Sequence, residues 1–239
     1  MERIYLETVD STNRWAKENI TEINDRTVVY TYSQTSGRGR LNRKWTDIGS
    51  DNIYASIVLK PSKQMKDVYS NLTQYLCVVL AQTFEEYGVA AEIKWPNDIK
   101  INNKKISGIL AEGVNRGNEL LGIVLGVGIN LNAKQEIVNN IDQPATALNL
   151  ETNMQIDKET FMNKLLERFC LLYDSFIEVG FPLIRDEYKK RVNFLNKQVT
   201  VTVFDKVVSG IATDITDNGA LEIVDKNNKK QILLIGDIL

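Results

Sequence analysis

The hydrophobic period of this chain changes near Asn196, and that change constrains its fold more than any single motif does. Upstream, Leu72, Leu76, Val79, Leu80, Phe84 and Tyr87 recur at three- and four-residue steps, as do Phe161, Leu165, Phe169, Leu172 and Phe176. Such spacing returns to one face of a 3.6-residue turn, so each set predicts an amphipathic helix whose stripe is core rather than ligand surface. Gly88 and Gly180 are natural stops for these helices, and Asp157 is a natural N-cap for the second. The runs 52–60 and 119–132 are β-branched or apolar between polar turns and predict buried strands. Downstream the period drops to two. Val199–Val203, Gly210–Thr213 and Leu221–Val224 alternate, with turn signals at Asp217-Asn218-Gly219 and Lys226-Asn227-Asn228. The expectation is an α+β chain: a mixed sheet with helices over residues 1–193, then a small β-barrel over 194–239. A barrel that short buries too little to be very stable unless it docks on the larger domain.

Composition narrows the chemistry. There is no histidine, which excludes Ser-His-Asp and Cys-His catalysis, histidine-containing zinc sites and imidazole pH switches. Lys and Arg total 29 against 31 Asp and Glu, a net charge of -2, so no bulk field attracts nucleic acid or anionic lipid and any anion binding must be local. Cys77 and Cys170 sit in different apolar helical segments without CxxC spacing and read as core thiols in a reducing compartment. The start, Met1-Glu2-Arg3-Ile4-Tyr5, lacks an apolar targeting core, and the apolar run 120–129 is too short and Gly-rich to span a bilayer. A soluble, cytoplasmic protein without a membrane partner is expected.

Against that slightly acidic background, residues 36–45 (Ser-Gly-Arg-Gly-Arg-Leu-Asn-Arg-Lys-Trp) hold four cations and no acid. Gly37 and Gly39 free the backbone to turn N–H groups inward, while Arg38, Arg40 and Arg43 supply forked donors for phosphate or carboxylate. The loop fits neither the Walker A nor the GxGxxG pattern; a solvated basic loop or an RNA-touching patch is its bland alternative. Four like charges repel, which predicts a loop that stays mobile until anions neutralise it. Further on, Lys94-Trp95-Pro96-Asn97-Asp98 follows a short strand, and Pro96 should break the ladder and leave Asn97 and Asp98 in a turn with side chains free to coordinate, a plain hairpin being the alternative. Lys105 opens a strand that carries Gly108, and Gly126-Val127-Gly128-Ile129-Asn130 closes another with small residues, so a flat or apolar group can approach both backbones. Packing accounts for either of these alone. Asp10-Ser11-Thr12-Asn13 reads as a helix cap that is compatible with ligand binding.

In this order, the early Asp-Ser-Thr-Asn, GRGR followed by RKW, KWPND, KISGIL and GxGIN resemble the biotin protein ligases over nearly the whole chain. The resemblance implies a class II synthetase-like catalytic domain followed by an SH3-like barrel, and it is to the monofunctional type without an N-terminal DNA-binding domain. Leu41-Asn42 stands where many members have Arg-Gly. It further implies ATP and biotin as substrates with Mg²⁺, an adenylate intermediate, and a biotin carboxyl carrier protein or domain as acceptor. A homodimer is compatible with it, and no DNA partner is expected. Carried over by position, Ser11, Thr12, Asn13, Gln34, Gly37, Arg38, Lys105 and Gly108 are implied at biotin. Arg38, Arg40, Arg43, Trp45, Asn97, Lys105 and Asn130 are implied at ATP or the adenylate, with Asn97 also at the metal. Arg40, Lys105 and Asp98 are the implied catalytic groups, Lys105 being preferred to Lys104 because it holds the motif position.

Two other readings compete. A lipoate or octanoate ligase or transferase of the same fold also acylates a carrier lysine, but a transferase wants a catalytic cysteine near the site, whereas Cys77 and Cys170 fall within helices. An RNA-binding module would use the arginine loop and the terminal barrel, against which stand the net charge and the missing aromatic-basic surface pattern.

Overall fold

The two hydrophobic periods resolve into two sheets in a computed structural model that describes residues 1–60 and 68–239. The first part contains β1 (Arg3–Tyr5), α1 (Thr12–Glu18), β2 (Thr27–Thr31), β3 (Ile53–Leu59), α2 (Leu72–Glu85), β4 (Glu92–Lys94), β5 (Asp98–Ile101), β6 (Lys104–Arg116) and β7 (Glu119–Ile129). Four helices follow: α3 (Gln135–Asn139), α4 (Leu148–Thr152), α5 (Lys158–Val179) and α6 (Arg185–Lys190). The strands form one mixed sheet in the order β1-β2-β3-β7-β6-β5-β4, with β1 and β2 parallel and the remaining pairs antiparallel.

Period-two alternation decides what each face of this sheet carries. In β7, Ile123, Leu125, Val127 and Ile129 enter the main core with α2 and α5, while Val124 joins a smaller cluster with Ala16, Ile20 and Val58 under α1. Gly126 and Gly128 share the parity of Val124. They thus leave the α1 face bare where the site forms.

Both long helices lie where the spacing predicts, and Asp157 caps α5 by accepting from the Thr160 backbone N–H at 2.8 Å. The single apolar face expected of α2 needs correcting. Gln74, Cys77, Val78, Ala81 and Thr83 are buried as well as the predicted stripe, because the sheet, α5 and α6 all pack against this helix. A helix enclosed on several sides shows a blurred period.

The C-terminal part contains β8 (Gln198–Val203), β9 (Lys206–Ile215), β10 (Leu221–Val224), β11 (Lys230–Leu233) and β12 (Asp237–Ile238), an antiparallel sheet in the order β11-β10-β9-β8-β12. Its inward residues Val201, Ala212, Ile215, Leu221 and Ile223 are continuous with the main core. The β9–β10 turn is tied down as well: the Gly219 carbonyl accepts from Gln74 Nε2 at 2.8 Å and from Trp95 Nε1 at 3.2 Å, and the Asn218 carbonyl from Asn71 Nδ2 at 3.0 Å. Gly219 has φ +77° and lies so close to Asn71 and Gln74 that a Cβ would meet both side chains at 2.4 Å. The docking that the barrel's small size calls for is therefore built from shared core and buried hydrogen bonds. Among the described residues no helix is long and apolar enough to cross a membrane.

Candidate active site

The bare glycine face receives two groups from outside the sheet. Gly108 in β6 and Gly128 in β7 are directly opposite in register, and Trp45 lies over both, with ideal Cβ positions only 2.8 and 2.3 Å from its indole. At Gly126 a Cβ would fall 2.1 Å from Asn13 Oδ1. Small residues at the end of β7 thus make room for one aromatic ring and one amide.

Asn13 is held there by the protein. Its Oδ1 accepts from Ser56 Oγ at 2.6 Å, and its Nδ2 donates to Glu112 Oε2 at 2.9 Å. Burial alone pushes the Glu112 carboxyl up, but the hydrogen bonds from Lys17 and Asn13 outweigh it and hold this group below the ordinary carboxylate range. Thr12 donates its N–H to Gln34 Oε1 at 2.9 Å, and its hydroxyl lies 2.8 Å from Ser56 Oγ, which has its own proton on Asn13 and accepts from Thr12. Ser11 caps α1, accepting from the Arg14 N–H. Gly37 has backbone on one side and Gln34 on the other, with a Cβ meeting Trp45 O at 2.5 Å and Gln34 Nε2 at 2.6 Å. These residues make a neutral, hydrogen-bonding cluster.

Beside it is a charged one. Lys105 Nζ pairs with Asp98 Oδ2 at 2.8 Å and lies 5.4 Å from the centre of the Trp45 ring. Arg40 donates to Asn97 Oδ1 at 2.8 Å, Asp237 Oδ1 at 3.0 Å and the Gly236 carbonyl at 3.1 Å, and Arg43 donates to Asp237 Oδ2 at 2.8 Å. Leu41 adopts φ +53° between them, a conformation that costs a leucine about 1–2 kcal/mol.

A cavity of about 210 Å³ takes in both clusters. Its walls include Ser11, Thr12, Asn13, Gln34, Arg38, Arg40, Arg43, Trp45, Asn97, Asp98, Lys105 and Gly108. Gly37 lines a neighbouring cavity instead, and Asn130 lies outside, donating Nδ2 to the Thr146 carbonyl at 3.0 Å. Asn130 Oδ1 and Trp45 Nε1 are buried without a partner among the described residues, the state in which a polar atom gains most from a ligand.

The structure alters three expectations. Asn97 and Asp98 are not free side chains: a hairpin joins β4 to β5 with Lys94 opposite Asp98, Asp98 pairs with Lys105, and Asn97 donates Nδ2 to the Ile109 carbonyl at 2.8 Å while its Oδ1 takes Arg40. One lone pair of that amide oxygen thus meets Arg40, and among the described residues no three His, Cys, Asp or Glu side chains cluster to hold a metal. Two of the loop's four cations do not wait for a ligand anion, because Asp237 supplies a carboxylate from the last strand. Cys77 is the core thiol expected, its pKa raised by burial, whereas Cys170 is only half-buried; both are free and neither lines the cavity.

Sequence reasoning missed Ser56, Glu112, Lys94 and Asp237. Ser56 lies inside an unbroken buried strand and Asp237 in a two-residue strand, so neither carries a local signal. Lys94 stood in view within KWPND.

The comparisons with known proteins fall on these same segments. Residues 5–130 match the biotin/lipoate A/B protein ligase family, and residues 194–239 match the biotin protein ligase C terminal domain. The chain belongs to the biotin/lipoate A/B protein ligase family. The match spans the arginine loop, the β4–β5 hairpin, Lys105 and the glycine face. Among its relatives, the bifunctional ligase/repressor BirA of Escherichia coli (strain K12) is 28% identical over 90% of this chain and 67% of its own length. The biotin--[acetyl-CoA-carboxylase] ligase of Paracoccus denitrificans is 27% identical over 90% of this chain and 91% of its own. The biotin protein ligase from Aquifex aeolicus in complex with biotin and ATP superposes with a TM-score of 0.83 at 27% identity, covering 100% of this chain and 97% of that one. The mixed sheet with a small C-terminal antiparallel sheet is thus the architecture of this ligase family.

Proposed function

We propose that the protein is an AMP-forming biotin protein ligase, which makes biotinyl-5′-AMP from biotin and ATP and transfers biotin to a lysine of a biotin carboxyl carrier protein or domain. Residues 1–193 are its catalytic domain and 194–239 its C-terminal domain. The observation that carries the reading is the juxtaposition in one cavity of a neutral hydrogen-bonding cluster and a cationic one. Biotin has a neutral ureido ring and a carboxylate tail, and it meets each cluster with the end that suits it. Ser11, Thr12 and Gln34, with the backbones near Gly37, Arg38 and Gly108, take the ring. Lys105 and the arginines take the carboxylate and phosphates.

In the first step a biotin carboxylate oxygen attacks the α-phosphorus, and the bond to the α,β-bridging oxygen breaks with its electron pair leaving on pyrophosphate. Two anions must meet, so fixed cations in a site that excludes water supply the catalysis. Lys105 neutralises the carboxylate and α-phosphate, and Arg40 bridges phosphate and acyl oxygens of the product with several donors. Trp45 covers the adenine, whose amino group suits the unpartnered Asn130 Oδ1. Magnesium would enter bound to the nucleotide phosphates, with Asn97 the protein group beside it. In the second step the carrier amine attacks the acyl carbon and AMP leaves. That amine has an ordinary pKa of about 10.4, and Asp98 orients its ammonium and takes the proton.

A lipoate ligase is disfavoured by the polar Thr12–Gln34–Ser56 cluster, which a dithiolane ring leaves unsatisfied. An octanoyl transferase is disfavoured by cysteines that stay out of the cavity. An RNA-binding role is disfavoured by Arg40 and Arg43 both pairing with Asp237, a carboxylate that offsets their charge. A cytoplasmic location goes with the reading, since ATP is a substrate and both cysteines are free thiols. The test is incorporation of labelled pyrophosphate into ATP: biotin should drive it and lipoate or octanoate should not. Exchange driven by lipoate alone would move the protein to the lipoate branch of its family.

A further inference from the structure

Lys94 differs from the other cations of the site. Lys105 pairs with Asp98, and Arg40 and Arg43 share Asp237, while Arg38 and Lys44 stand in solvent. Lys94 is half-buried, and among the described residues its ammonium makes no ion pair or hydrogen bond. It is also held in place: it ends β4 in register with Asp98, and the next residue, Trp95, is anchored through its indole N–H to Gly219. Burial, then repulsion from Lys100, pulls its pKa below that of an ordinary lysine. Such a cation has lost water without gaining a carboxylate, and a multiply charged anion satisfies it best.

Lys94 is moreover a shared wall between two cavities. One is the reaction cavity, which six side-chain cations line against the two carboxylates Asp98 and Asp237. The other is a cleft of about 550 Å³ between the two sheets, lined by Lys94, Lys100 and Lys197. The one carboxylate side chain in that cleft, Glu92, is occupied by the Asn193 amide at 2.5 Å. The two cavities thus share Lys94 in their linings, and lysines line the outer one on the side of β4.

The geometry points to Lys94 as the cation that receives the pyrophosphate released in adenylate formation, and to the interdomain cleft as the route by which it leaves. This rests on the ligase reading above. As the bond from the α-phosphorus to the bridging oxygen breaks, negative charge grows on the departing group, and a fixed cation beside it stabilises that charge before the product moves on. Lys105 and Arg40 are committed to the atoms that stay behind.

The test is pyrophosphorolysis, in which biotinyl-5′-AMP and pyrophosphate give ATP and biotin. Lys94→Met keeps the aliphatic stem, and it should raise the KM for pyrophosphate about tenfold or more, the factor carried by one hydrogen bond to a charged group. It should weaken pyrophosphate as a product inhibitor of the forward reaction by the same factor. Biotin transfer from supplied biotinyl-5′-AMP to the carrier involves no pyrophosphate, and should fall by less than about twofold, within the usual reach of a substitution that leaves that step's contacts intact. Lys94→Arg should restore the pyrophosphate KM, and Lys100→Gln should raise it about two- to threefold, as expected of a more distant, screened charge. A Lys94→Met enzyme with the wild-type pyrophosphate KM overturns the assignment, as does one that loses transfer to the same extent. If the wild type makes no ATP from biotinyl-5′-AMP and pyrophosphate, the ligase reading itself fails and the assignment falls with it.

Discussion

Arg40 and Asp237 stand 197 positions apart in the chain, and the guanidinium of one donates to the carboxylate of the other at 3.0 Å. Asp237 also accepts from Arg43 at 2.8 Å, so a single carboxylate of the last strand closes the arginine loop over the glycine face. An anion of the C-terminal sheet thereby occupies donors that the proposed reaction needs for phosphate.

Asp237→Asn removes that anion and should loosen the loop before ligand binds. The pairs are partly solvated, so the effect is modest, about 0.2–1 kcal/mol each. Amide exchange over residues 36–45 should quicken about two- to fivefold in the free protein. With biotinyl-5′-AMP bound, phosphate replaces the lost carboxylate and the difference should vanish. Equal exchange in both free proteins would show that Asp237 does not hold the loop.

Lys104 and Lys105 are neighbours with opposite surroundings. Lys105 points to Asp98 at 2.8 Å inside the cavity, whereas Lys104 is 47% exposed and 3.7 Å from Glu151. Biotin-dependent pyrophosphate release should fall about 10²-fold or more in Lys105→Ala, as for loss of a charge aimed at the reacting phosphate. In Lys104→Ala it should change by less than about threefold, the mark of a surface pair. The reverse order would show that the wrong lysine has been chosen.

At Gly128 an added methyl would sit 2.3 Å from the Trp45 indole. Trp45 belongs to a loop and can yield, while the sheet cannot, so Gly128→Ala should displace the ring at little cost to the fold. The KM for ATP should rise about tenfold, in line with the loss of one aromatic stack on a base, and the melting temperature should shift by only a few degrees. A melting temperature lowered sharply with an unchanged KM would mean that the glycine serves packing alone.

The Glu112 carboxyl titrates below its ordinary range, and a group depressed on folding adds stability above its unfolded pKa and loses it as pH falls through the folded value. Glu112→Gln should therefore unfold at lower urea than wild type at pH 7, by about 1 kcal/mol for a partly buried charged hydrogen bond. The difference should shrink on acidification below the carboxylate range. A difference that persists unchanged once acid has protonated Glu112 would exclude the charge as its cause.

What could be read from the sequence is what depends on neighbours along the chain. The stripe of α5, its Asp157 cap, the alternating strands after Asn196 and the clustered Gly37-Arg38-Gly39-Arg40 are all local patterns. The use of Gly126 and Gly128 was legible only as permission for close approach; that Asn13 and Trp45 fill the space depends on strands paired at long range. Asn97 and Asp98 looked free because their partners, Arg40 and Lys105, are set by the β4–β5 hairpin and the loop folding onto one edge. Asp237 was invisible for the same reason, since nothing in a terminal Gly-Asp-Ile-Leu announces two arginines on another domain.

The most direct measurement is the intact mass of a biotin carrier domain after incubation with the protein, magnesium and ATP, in parallel with biotin, with lipoate and with neither. A ligase of the kind proposed here should add one biotinyl group to one carrier lysine, only when ATP and biotin are both present, and should release AMP and pyrophosphate in equal amounts. A carrier that gains nothing with biotin, or that is acylated by lipoate in its place, would contradict the account.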